Sequence, residues 1–185
     1  MKQIRIHGRG GQGVVTAAEL IAIAAFSDGK IAQAFPSFGV ERTGAPIESF
    51  TRIDDKEIRI REHIYHPDVL IILDPSLLSS VDVAAGCGDK TLVIINTTKN
   101  KNELKINLPE KNIYTVNATD IALKTTGKNI VNTIILGTFA KATGLVTLEG
   151  LKKAIEQKFG NKSKELVEKN IKAITEAYNI MLIRE

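Results

Sequence analysis

The chain has no tryptophan, few aromatic residues of any kind (5%) and a single cysteine. The scarcity of aromatics removes the stacking platform on which single-stranded nucleic acids are usually held. A net charge of +4, carried by lysines scattered mostly through the C-terminal third, gives no basic stripe to replace it. Nucleic acid is therefore not an expected partner. Cys87 alone makes no internal disulfide and supplies neither the four thiolates of an iron–sulfur cluster nor a structural zinc site. In Ala84-Ala85-Gly86-Cys87-Gly88 it reads as a bystander thiol. No apolar run reaches membrane-spanning length, and no basic segment precedes a signal-type apolar core. These features point to a cytoplasmic protein without a membrane partner. Also missing are the Gly-x-Ser-x-Gly elbow, the P-loop lysine and the zinc-protease histidine pair.

What is present starts at the N-terminus. Ile4-Arg5-Ile6 leads through His7 into Gly8-Arg9-Gly10-Gly11-Gln12-Gly13 and then an Ala/Ile/Leu-rich run from Val14 to Phe26, closed by Asp28-Gly29. Gly8, Gly10 and Gly13 satisfy G-x-G-x-x-G at a strand-to-helix junction. The first glycine permits a tight turn, the second close backbone approach to a ligand, and the third close helix packing. The free N–H groups and positive dipole end of the helix attract phosphate or another anion. The same spacing also serves a turn needed only for packing. A nicotinamide-type site would add an acid at the end of the next strand to bind ribose hydroxyls. Here that strand, from Lys30 to Phe35, ends Gln33-Ala34-Phe35-Pro36, so an anion loop is expected without the dinucleotide site.

Pro36 to Pro46 follows as a long loop in which Phe38, Glu41, Arg42 and Thr43 supply contact chemistry. An ordinary crossover with an internal Glu–Arg pair is the plainer alternative. Alternating residues over 47–53 and 57–60, around Asp54-Asp55-Lys56, predict an antiparallel hairpin at a sheet edge. Arg52, Arg59 and Arg61 are expected on its solvated face. Asp68 to Pro75 and Thr91 to Asn96 are continuous apolar runs of the kind covered on both faces, and Ile113 to Val116 is a shorter strand. Thr119-Asp120 is expected to cap a helix through Thr126. Further helices are expected over 132–143, interrupted by Gly137, from Thr147 to Phe159, and from Ser163 to about Ile183. Alternating strands and helices predict an α/β fold: one three-layer α/β/α domain over residues 1–185, mainly parallel, with an antiparallel hairpin at one edge.

His63 and His66 are three apart, but Pro67 and the lack of a third close ligand favour a surface loop over a metal site. His7 is placed either to contact a ligand or to bond backbone. Asp74 and Asp120 stand at element ends with no evident partner. No catalytic residue and no metal site is assigned. An anion-binding element and a prominent loop without a catalytic constellation suit a subunit of a larger enzyme.

Residues 4–13, Gln33-Ala34-Phe35-Pro36 and Glu41-Arg42-Thr43-Gly44-Ala45-Pro46 together resemble the gamma subunit of pyruvate:ferredoxin oxidoreductase. So do Asn117 to Ala122, Asn132-Thr133 with Leu136-Gly137, and Lys169-Asn170 to Tyr178, so the likeness covers nearly the whole chain. The 34–36 and 41–46 segments look like the pyruvate-type branch, with one departure at Val131, where that branch commonly has proline. The resemblance implies thiamine-dependent oxidative decarboxylation of a 2-oxoacid, with coenzyme A taking the acyl group and ferredoxin the electrons. It implies alpha, beta and delta partner subunits. Thiamine diphosphate with magnesium would lie between alpha and beta, and iron–sulfur clusters in beta and delta, none being held by this chain alone. On this reading Gly8, Arg9, Gly10, Gly11, Gln12 and Gly13 contact the phosphate-bearing part of coenzyme A. Phe38, Glu41, Arg42 and Thr43 mark an interface with the thiamine-binding subunits. The competing reading is a nucleotide-binding or regulatory α/β module with no ferredoxin enzyme attached, which co-purification would distinguish.

Overall fold

The computed structural model describes residues 1–37 and 43–181. Its elements are β1 (Lys2–Arg9), α1 (Val14–Ser27), β2 (Ile31–Pro36), β3 (Pro46–Asp54), β4 (Val69–Ile72), β5 (Leu92–Asn96) and β6 (Ile113–Val116), then α2 (Ala118–Thr126), α3 (Val131–Thr143), α4 (Leu148–Phe159) and α5 (Lys164–Ile180). Short 3-10 turns lie at Pro75–Ser79, Lys101–Glu103 and Glu110–Asn112. The six strands run in the order β2-β3-β1-β4-β5-β6. β1, β4, β5 and β6 are parallel, and β3 lies antiparallel to both its neighbours. The fold is α/β and mainly parallel, with an antiparallel pair at one edge.

That edge pair differs from the expected hairpin. Residues 57–60 join no strand; the outer partner of β3 is β2, with Phe35 opposite Phe50 and Gln33 opposite Arg52. Both edges of β3 are thereby filled, by β1 and β2. Asp54-Asp55-Lys56 also lacks the glycine that supplies positive φ in the tight hairpin turns.

The faces of the sheet explain the two kinds of apolar pattern. Ile4, Ile6, Ile53, Val69, Ile71, Ile94 and Val116 form one core with buried residues of all five α-helices. On the opposite face Leu70, Ile72, Val93, Ile95 and Ile113 are covered by Leu77, Val83, Leu104, Ile106 and Leu108. The third layer is thus built from 3-10 turns and connecting chain. Fully burying each Ile, Leu or Phe contributes about 1.5–3 kcal/mol, so β4 and β5, buried on both faces, anchor the sheet.

α1 lies close on the sheet because its inner positions include Ala17, Ala18, Ala24 and Ala25, all buried. Buried hydroxyls of β3 donate to its carbonyls, Ser49 Oγ to Val14 O at 2.8 Å and Thr51 Oγ1 to Ala18 O at 3.1 Å. Past its end, Asp28 accepts bonds from Thr147 N and Thr147 Oγ1 (2.6 and 2.7 Å), tying α1 to the start of α4. Helix α2 begins two residues earlier than a cap at Thr119 would give, and its cap is Asn117, whose side chain accepts from Asp120 N at 3.1 Å. Among the described residues no helix is long and apolar enough to cross a membrane.

Candidate functional site

The strand order reverses between β1 and β4. β1 leads through α1 toward β2, whereas β4 leads through the Pro75–Ser79 turn toward β5. Ligands of open α/β sheets bind outside the carboxyl ends of the strands at such a reversal, and residues 8–13 occupy this one.

The glycines do not divide their roles as the motif suggests. A Cβ on Gly8 would lie 2.5 Å from Val14 Cγ2 and 3.3 Å from Leu73 Cδ1, so Gly8 is the residue that lets the helix start sit against the strand. Gly13, the helix N-cap, has φ 76°, and a Cβ there would come within 2.8 Å of Asn132 Cγ. Asn132 Nδ2 donates to Gly13 O at 3.2 Å, so α3 supports the loop from below. Gly11 also has positive φ (92°). Gly10 N donates to Ala45 O at 2.9 Å and Gly44 N to Gly10 O at 3.0 Å, docking the end of the 36–46 loop onto the glycine turn.

α1 starts with no side-chain cap and no acid in its first turn. Among the described residues the N–H groups of Val14, Val15 and Thr16 have no backbone acceptor. They open into a groove of about 370 Å³ lined by Gly10, Gly11, Gly13, Val14, Val15, Thr16, Thr43 and Ile47. Thr43 is thus brought to the glycine loop, whereas Phe38, Glu41 and Arg42 lie outside the described residues.

Arg9 and Gln12 face the other way and meet Asp74 at the end of β4. Gln12 Nε2 donates to Asp74 Oδ2 at 2.9 Å, Arg9 Nε lies 3.2 Å from the same oxygen, and Ser76 Oγ donates to Asp74 Oδ1 at 2.6 Å. Arg9 also donates to Ser76 Oγ (2.8 Å) and Gly44 O (3.0 Å), while Gln12 Oε1 accepts from Arg9 N (2.8 Å). Partial burial alone would raise the pKa of Asp74; the hydrogen bonds from Ser76 and Gln12 and the charge of Arg9 outweigh it and hold the carboxylate below its ordinary range. The expectation that Asp74 is unpaired is overturned. Its signal in the sequence was Asp74-Pro75-Ser76, an acid that bonds its own backbone two residues on, with Ser76 N donating to Asp74 Oδ1 at 3.0 Å. Asp120 likewise has a partner, Lys124 Nζ at 2.6 Å.

Beyond Ser76 lies a cavity of about 560 Å³ at the ends of β4, β5 and β6, lined in part by Ser76, Asn96, Thr97, Lys99, Lys105 and Thr119. Sequence reasoning missed it, because its residues come from four separated segments with no shared spacing. Buried Asn96 braces its floor, donating to Leu73 O at 3.0 Å and Thr119 Oγ1 at 3.1 Å.

His7, at the end of β1, is 4% exposed, and burial, aided by the charge of Arg5, pushes its pKa down to about 3. It is neutral at pH 7, and its Nδ1 stands 3.6 Å from Glu48 Oε1, too far for a hydrogen bond. Arg52 was expected on a solvated face and is fully buried, because residues 57–66 fold across it and accept its hydrogen bonds. Arg59 and Arg61 are exposed as expected. Cys87 packs 3.8 Å from the Arg5 guanidinium, and burial raises its thiol pKa.

The family model described as pyruvate ferredoxin/flavodoxin oxidoreductase matches residues 3–180. The chain is 56% identical, over all of both chains, to the pyruvate/ketoisovalerate oxidoreductases common subunit gamma of Thermococcus kodakarensis. It is 53% identical, over 98% of each, to pyruvate synthase subunit PorC of Methanocaldococcus jannaschii. Among solved structures, the pyruvate oxidoreductase subunit PORC of Thermotoga maritima superposes with a TM-score of 0.82 at 36% identity, over 96% of this chain and 95% of that one. On a match this complete in both sequence and fold, the chain belongs to the pyruvate ferredoxin/flavodoxin oxidoreductase family, as a gamma-type subunit.

Proposed function

We propose that this chain, as one gamma-type domain, contributes a phosphate-binding surface for coenzyme A and a packing face to a cytoplasmic assembly. That assembly converts pyruvate or a related 2-oxoacid to acyl-CoA and passes the electrons to ferredoxin. Alpha, beta and delta subunits are its partners; thiamine diphosphate, magnesium and iron–sulfur clusters belong to them, since Cys87 alone falls short of the usual four cluster thiolates. The observation that carries the reading is the uncapped start of α1 in its groove, where three N–H groups and the helix dipole favour an anion. The Arg9–Asp74–Gln12–Ser76 network fixes the loop in place, so its donors are oriented before the ligand arrives. Thr43 belongs to that groove, and Phe38, Glu41 and Arg42, its neighbours in the sequence, are assigned with it to contact with the thiamine-binding subunits. The named relatives include a gamma subunit common to pyruvate and ketoisovalerate oxidoreductases. This agrees with a gamma chain that handles the shared acceptor and leaves the 2-oxoacid side chain to its partners.

Thr16→Glu tests the site. An acid in the first turn complements the helix dipole, so the isolated variant should be at least as stable as the parent. In the assembled enzyme the same carboxylate repels phosphate, and the apparent KM for coenzyme A should rise about tenfold, equivalent to about 1.4 kcal/mol, with that for pyruvate unchanged. Gly10→Val, which places a branched side chain on the approaching backbone, should act in the same direction. Unchanged coenzyme A kinetics in both assembled variants would remove the assignment.

A further inference from the structure

β2 is the outermost strand on its side of the sheet, and the register shows which of its backbone groups are unused. Ser37 N donates to Glu48 O at 3.0 Å, so residues 37 and 48 form a hydrogen-bonded pair of the antiparallel ladder. Such pairs alternate along the strands. Ile31, Gln33 and Phe35 therefore bond β3, and the N–H and C=O groups of Ala32 and Ala34 point outward. The other side of β3 agrees: Gly10 N donates to Ala45 O, which gives the odd-numbered residues of β3 to β1 and the even-numbered ones to β2. Pro36, which has no N–H to donate, falls among the outward residues. Among the described residues neither Ala32 N nor Ala34 N has a backbone acceptor.

Edges of this kind are usually blunted by charge, by a bulge or by covering chain. At the far edge the 3-10 turn at Lys101–Glu103 lies against β6, with Lys101 Nζ 5.5 Å from the Tyr114 ring centroid. β2 carries no charged residue from 31 to 36, and its register with β3 runs without a bulge. Two exposed apolar side chains, Phe26 (74%) and Ile31 (43%), stand at its start. The strand is also symmetric in character about Gln33. Ile31-Ala32-Gln33-Ala34-Phe35 reads apolar, small, amide, small, apolar in either direction. Laid antiparallel against itself with Gln33 at the centre, it sets Ala32 opposite Ala34 as hydrogen-bonded pairs. Ile31 then faces Phe35 on the same side as the central pair of glutamines. Gln33 Oε1, buried without a hydrogen-bond partner, gains a second amide to turn to. No like charges meet.

We propose that β2 is a self-association edge, which pairs across a two-fold axis with β2 of a second copy of this chain and joins the two six-stranded sheets into one. The symmetry of the strand selects that occupant, since every residue meets a counterpart suited to it.

Sedimentation equilibrium of the full chain, with amide hydrogen exchange at rising concentration, is the test. The chain should pass from monomer to dimer, and the amides of Ala32 and Ala34 should slow at least tenfold over the same range. Ile31→Lys charges an exposed position of the edge, and Ala34→Pro removes an outward N–H but no β2–β3 bond. Each should weaken dimerisation at least tenfold, and melting temperatures at dilution report whether each monomer folds. Gln33→Cys in a Cys87→Ser background should form a covalent dimer with oxidised glutathione, because residues facing each other across the axis lie within disulfide reach. A parent chain that stays monomeric, or dimerises while both amides exchange as in the monomer, overturns the proposal. So does a dimeric Gln33→Cys variant that fails to cross-link. Protection that appears only when cognate alpha, beta or delta subunits are added assigns the edge to another subunit and also overturns it.

Discussion

Gly13 and Gly44 both hold left-handed backbone, with φ of 76° and 84°, but their surroundings differ. A Cβ on Gly44 meets nothing within 4 Å, whereas one on Gly13 runs into Asn132. Gly44→Ala should therefore cost only the backbone term, about 1–2 kcal/mol. Gly13→Ala should cost more by the displacement of Asn132, about 1–3 kcal/mol further. Urea denaturation of the two variants measures the difference, and equal losses would contradict the packing role given to Asn132. His7 gives a pH dependence whose sign follows from its depressed pKa. The unfolded chain takes up the proton near pH 6.5, the folded chain near 3. Stability from this group is complete above pH 6.5 and falls as the pH drops through that window, by at most about 1.4 kcal/mol per pH unit. His7→Leu should flatten the fall between pH 6.5 and 5; an unchanged slope would show that His7 is protonated in the folded state. The glycines were legible in the sequence because a left-handed turn restricts residue type. The partners of Asp74 and Arg52 were not. One is satisfied across the sheet by Arg9 and Gln12, the other by carbonyls of an irregular segment, and neither arrangement leaves a spacing to read.

At the scale of elements, Gly137 sets how closely α3 approaches α5. A Cβ there would collide with the backbone oxygen of Ile174, which has no rotamer to move aside. Helix propensity favours Gly137→Ala by about 1 kcal/mol, and overpacking against backbone opposes it by about 1–3 kcal/mol. The variant should therefore be less stable than the parent in a thermal melt; a raised melting temperature would show that the two helices part easily. The sequence reads this glycine as an interruption of the helix, and the structure makes it a contact point. The helix starts were legible to within a residue or two, because their caps leave chemical signatures: Thr147 Oγ1 accepts from Gly150 N, and Ser163 Oγ from Leu166 N; the expected end of the last helix near Ile183 lies outside the described residues. The error lay at residues 57–60. Alternation reports a surface that is apolar on one side and polar on the other; it does not report whether a neighbouring strand edge is free, and here both edges of β3 were taken.

Across the whole molecule, the glycine turn, the Asp74 network and the cavity beyond Ser76 gather at one end of the sheet, where the strand order reverses. The irregular segment 57–66 is separate, held on the face opposite α1 by Arg52 at Ile60 and Glu62 and by Arg5 at Ile64 and Tyr65. The position of the anion groove was legible because a strand, a glycine turn and a helix are contiguous in the chain. The 560 Å³ cavity beside it was not, since the fold brings its walls together from distant segments. Cys87 alone falls short of the four thiolates that usually hold an iron–sulfur cluster, so on the proposed reading this chain is a dependent subunit. Anaerobic reduction of ferredoxin by the purified chain, supplied with pyruvate, thiamine diphosphate, magnesium and coenzyme A, tests that claim most directly. The account predicts no reduction by the chain alone and coenzyme A-dependent reduction once the cognate alpha, beta and delta subunits are added. Turnover by the chain alone, with contaminating partners excluded, would contradict it.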